Sequence, residues 1–291
     1  MNQFIQQVFP ITIISQEDKL KTYWKNYCSY NPALLSLRKN QGNLELVNVQ
    51  LEDNVCGSGF LTTSTENYFS KNILIRNSKF QSNGIHSIRL LEGSWADGIT
   101  LGSVENLKII NNEFVNNTNN DLILGSCSSN SADKKCEISG NSFSHDGSPQ
   151  NGAFSAISLY VWPSSGWNGN HTGTEILRNT IDCGTFKNCG VGISVGGYQI
   201  YEQSNLTDNV PARYTISGGS ISENTLVNLK GGIHLENSTG MKINSNSFES
   251  VGDFALPSCR STNLKLKHLI KSSSSDNSVS YTHLTLPTKR I

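Results

Sequence analysis

Val227-Asn228-Leu229-Lys230-Gly231-Gly232-Ile233-His234-Leu235-Glu236-Asn237-Ser238-Thr239-Gly240-Met241-Lys242-Ile243-Asn244-Ser245-Asn246-Ser247-Phe248 is the stretch whose reading decides the fold. Its apolar residues alternate at period two around polar turns, without a helical apolar stripe, so it reads as short strands. Working outward, one register recurs: an aliphatic residue followed five positions later by a bulky apolar one. The copies are Leu46/Leu51, Ile75/Phe80, Ile109/Phe114, Ile138/Phe143, Ile176/Ile181, Ile221/Leu226 and Ile243/Phe248. In the last five, asparagine stands two before the bulky residue, at Asn112, Asn141, Asn179, Asn224 and Asn246. Successive bulky residues are 29, 34, 29, 38, 45 and 22 positions apart. A period loose in length but strict in internal register marks a solenoid, whose repeats bury their apolar residues by stacking on their neighbours.

A bare repeat of 22 residues is too short for a propeller blade and lacks the leucine-rich consensus, which leaves a parallel β-helix. Equivalent positions then stack at about 4.8 Å, and the recurring asparagines form an internal structural ladder. The Gly-Ile-x-Leu strand at 232–235, its polar turn, the apolar-x-Ile strand at 241–243 and the Asn-x-Phe turn at 246–248 resemble the right-handed β-helix repeat of the pectin lyase-like superfamily. The likeness covers roughly residues 44 to 256. It implies an all-β chain folded as a single-stranded right-handed parallel β-helix. It implies no single activity, because the scaffold hosts lyases, hydrolases, epimerases, adhesins and phage tail spikes.

The expected organisation is an N-terminal cap region at 1–40, a β-helix at 41–258, an irregular tail at 259–278 and a terminal segment at 279–291. Leu20, Tyr23, Trp24 and Tyr27 lie at near-helical spacing and offer a capping helix for the open first repeat. The run Val279-Ser280-Tyr281-Thr282-His283-Leu284-Thr285-Leu286-Pro287-Thr288 resembles a translated sequencing-library adapter, so residues 279–291 are read as non-biological.

Lys plus Arg and Asp plus Glu number 23 each, and this balance gives no support for nucleic-acid binding, which normally shows a basic stripe. No stretch is long enough to span a membrane. A monomer is expected, with a polysaccharide or glycan as partner. Cys127 and Cys136 flank one polar loop and Cys183 and Cys189 another, so each pair reads either as a local disulfide or as buried thiols; Cys28 with Cys56 is a third pairing. Sequons at Asn116, Asn170, Asn205 and Asn237 fit an extracellular or cell-surface protein. Residues 1–14 show no signal peptide, so either the protein is intracellular or its true start is missing.

Repeat proteins carry function on loops inserted at one corner. The largest insertions here are 126–135, 162–173 and 196–213, three loops that wall a groove suited to a linear polymer. Trp162, Trp167, Tyr198 and Tyr201 present faces on which pyranose rings stack, or else pin the loops down; His171 is a further substrate-binding candidate. Alternation from the inward isoleucines turns His86, Thr100, Ser158, Ser194 and His234 outward. Asp97 and Asp121 fall on adjacent repeats. Stacked there, they would shift one another's pKa, hold Ca2+ with oxygen ligands or act as the close pair of a retaining glycosidase; the alternative is that each caps a turn. His86, His234 and Arg89 complete the catalytic candidates.

Within the resembled superfamily, polygalacturonases use Asn-Thr-Asp, Asp-Asp and His-Gly. Here Asn117-Thr118-Asn119 lacks the acid, and neither of the other motifs occurs, nor does the Asp-Pro-His of alginate epimerases. Lyases of this kind abstract a proton with Lys or Arg, for which Arg89, Lys134, Lys135, Arg178 and Arg213 are available. Two functional expectations result: a polysaccharide lyase or glycoside hydrolase acting in the loop-walled groove, or a non-catalytic, adhesin-like β-helix that binds glycan or serves as a spacer.

Overall fold

The computed structural model describes residues 33–38, 42–54, 57–63, 69–84, 96–127, 135–145, 154–160, 169–185, 187, 189–196, 215–235, 238–251 and 278–280. Among them every element is a strand and every strand pairing is parallel. Apart from Ile216–Ser217 and Ser238–Thr239, which pair with each other as a separate two-stranded sheet, the strands fall into three lanes, and each pairs with its counterpart about one repeat along the chain.

The first lane contains Ala33–Arg38, Ser58–Thr63, the start of Ile99–Ile110, Asn120–Cys127, Ser155–Leu159, Val191–Val195 and Gly231–Leu235. The second runs through Leu44–Val47, Ser70–Arg76, the end of Ile99–Ile110, Cys136–Ser139, Thr174–Leu177, Ser220–Ser222 and Lys242–Asn244. The third stacks Gln50–Glu52, Lys79–Gln81, Glu113–Val115, Ser142–Ser144, Thr180–Asp182, Thr225–Val227 and Ser247–Glu249. Because Ile99–Ile110 spans two lanes without a break, it joins them into one curled sheet.

The recurring pairs of the sequence are two register columns. Leu46, Ile75, Ile109, Ile138, Ile176, Ile221 and Ile243 are successive partners in the second lane. Leu51, Phe80, Phe114, Phe143, Ile181, Leu226 and Phe248 are successive partners in the third. Both columns face the core, where Phe80, Phe114 and Phe143 stack with centroids 5.2 and 4.6 Å apart. A third inward column, Phe60, Ile99, Leu122, Ile157, Ile193 and Ile233, comes from the first lane.

The five-residue offset has a backbone cause. Two residues after each inward aliphatic, the chain turns through one left-handed residue: Asn48, Asn77, Asn111, Gly140, Arg178, Glu223 and Ser245, with φ between 51° and 63°. The next residue points into the corner and is the ladder position. There Asn112, Asn141, Asn179 and Asn224 each accept on Oδ1 from the backbone N–H of the preceding ladder residue, at 2.9 or 3.0 Å, and donate through Nδ2 to the next asparagine. Asn246 accepts from Asn224 at the far end. Ser78 holds the same position one repeat earlier.

Disulfides join Cys127 to Cys136 and Cys183 to Cys189. The strand Ala33–Arg38 lies within the region expected to be an N-terminal cap, and it already pairs with Ser58–Thr63. The expected capping helix, with Leu20, Tyr23, Trp24 and Tyr27, lies outside the described residues, as does the Cys28–Cys56 pairing. Ser278–Ser280 pairs with Lys242–Asn244. Such a contact is made by backbone groups that any sequence carries.

Candidate functional site

The first lane positions the site candidates, and its edge is where the three insertions leave the sheet. Leu124, Leu159 and Val195 are register partners, so Gly125, Tyr160 and Gly196 lie side by side; the chain departs after Leu159 and Val195 in the second and third of these strands. In the short repeat the equivalent strand ends at Leu235. Strand Asn120–Cys127 carries Ser126 and Cys127 inside the sheet, so the first insertion is shorter than the sequence predicts. Trp162, Trp167, Tyr198, Tyr201, His86 and Arg89 lie outside the described residues.

Asp97 precedes the strand that begins at Ile99 and is 7% exposed. Its Oδ2 accepts from the Thr100 hydroxyl at 2.6 Å and from the Ser58 hydroxyl at 3.4 Å; its Oδ1 accepts from Asn119 Nδ2 at 2.9 Å and from the Asn120 backbone N–H at 3.1 Å. Burial raises its pKa, and the hydrogen bonds from Thr100, Asn120 and Asn119 oppose that rise.

Asp121 is fully buried in a different set of contacts. Asn117 Nδ2 lies 2.9 Å from its Oδ1, and His145 Nε2 lies 3.0 Å from its Oδ2. The two aspartates do sit on neighbouring levels, Asp97 just before the strand that begins at Ile99 and Asp121 within Asn120–Cys127. The register pairs Ile99 with Leu122, however, so Asp97 stands beside Asn120 while Asp121 stands beside Gly98. Gly98 is required at that point, since a Cβ there would lie 2.5 Å from the Asp121 carbonyl oxygen. The carboxylates therefore face separate protein donors, one residue out of phase. No group of three or more His, Cys, Asp or Glu side chains placed to hold a metal occurs among the described residues, and the Asp97 and Asp121 oxygens that Ca2+ would take are already hydrogen-bonded.

The outward column of the first lane is Leu61, Thr100, Ile123, Ser158, Ser194 and His234. Its members are shielded: Ile123, Ser158 and Ser194 are buried and the others half-buried. Burial lowers the His234 pKa to about 4. Four strand spacings of about 4.8 Å separate Thr100 from His234, roughly 19 Å, so Asp97 and His234 do not meet on one bond. His171 is fully buried, with Nδ1 3.0 Å from Thr174 Oγ1. Burial lowers its pKa to about 3, against a smaller opposing effect of the Gly125 backbone.

Sequence reasoning missed a second ladder. The Asn54 backbone N–H donates to Asn83 Oδ1, and both the backbone N–H and Nδ2 of Asn83 donate to Asn117 Oδ1. Asn117 then donates to Asp121, which meets His145. The signal was present for its first members, since Asn54, Asn83 and Asn117 each lie three residues after Leu51, Phe80 and Phe114. His145 lies two after Phe143 and breaks that count.

No family model matches the chain, and no curated protein or solved structure matches it either.

Proposed function

We propose that this chain is a right-handed parallel β-helix of the pectin lyase-like kind, extracellular or at a cell surface, that binds glycan without cleaving it. The observation carrying the non-catalytic reading is the state of the two candidate acids. Asp97 and Asp121 are each enclosed by protein hydrogen-bond donors and are out of phase with one another. An acid or nucleophile that must release or take a proton at substrate needs reach to the reacting atom. Three parallel lanes, in-register columns and an asparagine ladder support the β-helix; two disulfides support an oxidising compartment.

A lyase or hydrolase acting in the loop-walled groove is the second reading. It is favoured by the raised pKa of Asp97, which suits a general acid, and by the aromatic content of the insertions. Incubation with uronate-rich and neutral polysaccharides, following unsaturated products and new reducing ends, separates the two. Binding with neither product supports the proposal. Turnover that is lost in Asp97→Asn would replace it with the enzyme.

A further inference from the structure

Away from the first lane, the corner between the second and third lanes carries a shallow polar groove of about 400 Å³. Its wall is made by Asn48, Asn77 and Asn111, the left-handed turn residues of three consecutive repeats, and its other side by Gln50, Lys79 and Glu113, which are register partners in the third lane. The three asparagines are exposed and aligned, because the Asn48 backbone N–H bonds to Arg76 and that of Asn77 to Ile110 of the next strand. Their side-chain amides carry no hydrogen bond to the described residues.

Asparagine tolerates the left-handed conformation better than most residues, so conformation alone could account for one of them. The rest of the chain argues against that as the whole cause. At the same turn position the later repeats use Gly140, Arg178, Glu223 and Ser245, all at φ between 53° and 63°. Arg178 and Glu223 there approach to 3.6 Å as an ion pair, so that part of the corner is self-satisfied. Free amides occupy the position in each of the repeats that line the groove.

We propose that this groove binds a neutral oligosaccharide, with the amides of Asn48, Asn77 and Asn111 pairing with its hydroxyl groups. The inference rests on the glycan-binding reading above and assigns it a location other than the loop-walled side. A primary amide offers two donors and one acceptor, the complement of a hydroxyl that both gives and accepts. Amides spaced at about 4.8 Å extend over about 10 Å from first to third, a length that suits a short stretch of linear glycan. Volume falls within the range of small-ligand sites, roughly 300–1,000 Å³, while a polar lining excludes the apolar occupants that such sites usually take. Lys79 and Glu113 balance in charge, so a polyuronate gains no net attraction there.

The test uses the full chain and four probes: cello-, manno- and xylo-oligosaccharides as neutral ligands and oligogalacturonate as the acidic one, read by titration calorimetry. Asn48→Gly/Asn77→Gly/Asn111→Gly keeps the left-handed turns while removing the amides, and Asn77→Asp alone keeps both turn and shape. The expected result is binding of a neutral probe that falls at least tenfold in the triple variant and by about three- to tenfold in Asn77→Asp, with the unfolding midpoint of Asn77→Asp unchanged. If neutral binding survives the triple change, the corner groove is wrong and the glycan reading stands. If only oligogalacturonate binds, the neutral-ligand assignment is overturned. If no probe binds, the glycan reading itself fails and the inference with it.

Discussion

Asn179 sits in the middle of a chain of amides in which each member serves both neighbours. Its Oδ1 accepts from the backbone N–H and Nδ2 of Asn141, and its Nδ2 donates to the Ile138 carbonyl and to Asn224 Oδ1. Replacing it by alanine strands several buried groups at once. With about 1–3 kcal/mol lost for each buried polar group left unpaired, Asn179→Ala is expected to cost at least about 3 kcal/mol in urea unfolding. A loss below about 1 kcal/mol would mean that water enters the corner and takes over the bonds. Asp121 and His145 form the comparable contact of the second ladder, and both side chains are fully buried. A double-mutant cycle of Asp121→Asn and His145→Gln is expected to show a coupling above about 1 kcal/mol, because neither partner can turn to solvent. Independent effects would place the two groups in separate networks.

At the scale of the element, a strand here is held by its place in a column rather than by its own length. Phe114 stacks between Phe80 and Phe143 in a lane of three-residue strands, so Phe114→Ala removes two ring contacts and opens a cavity. The expected cost is about 3–5 kcal/mol, checked by denaturant unfolding. His171 sets an acid limit on the segment leading into Thr174–Leu177. Folded, it stays neutral down to about pH 3; unfolded, it takes a proton near 6.5. Its contribution is therefore intact above pH 6.5 and is lost as pH falls from there towards about 3. Asp97 works in the opposite sense, since its raised folded pKa makes its contribution favourable in acid and lost as pH rises through the folded value. His171→Gln is accordingly expected to flatten the acid side of the stability profile measured between pH 7 and pH 4. An unchanged slope would show that His171 is hydrated in solution.

For the molecule as a whole, what was legible in the sequence was whatever repeats with a bulky side chain. The columns through Ile109 and Phe114 show in the sequence because they need volume at every level, and the ladder from Asn112 to Asn246 because an amide, with donor and acceptor on separate atoms, reaches both neighbours along a stack. Asp97 and Asp121 fall out of phase because Asp97 lies two residues before the inward Ile99 whereas Asp121 lies one before the inward Leu122; the adjacent aliphatics Leu122 and Ile123 leave the inward residue undecided in the sequence. The second ladder escaped notice because its corner changes shape after Asn117. Asn116 is left-handed two residues after Phe114, whereas the repeat that follows puts His145 at that offset. The irregular corners are also where the covalent links lie. Cys127 closes a first-lane strand and Cys136 opens a second-lane one, while Cys183 follows a third-lane strand and Cys189 precedes a first-lane one. Each disulfide thus staples the base of a lane change, where an added excursion would otherwise cost conformational entropy on folding. Sequence separations of 9 and 6 make both loops short, so each link is expected to contribute about 2–3 kcal/mol. Because they act at different corners, Cys127→Ser/Cys136→Ser and Cys183→Ser/Cys189→Ser should lower stability additively, and reductant should reproduce their sum in the parent chain. A midpoint indifferent to reductant would mean free thiols in solution and would remove the support for an oxidising compartment.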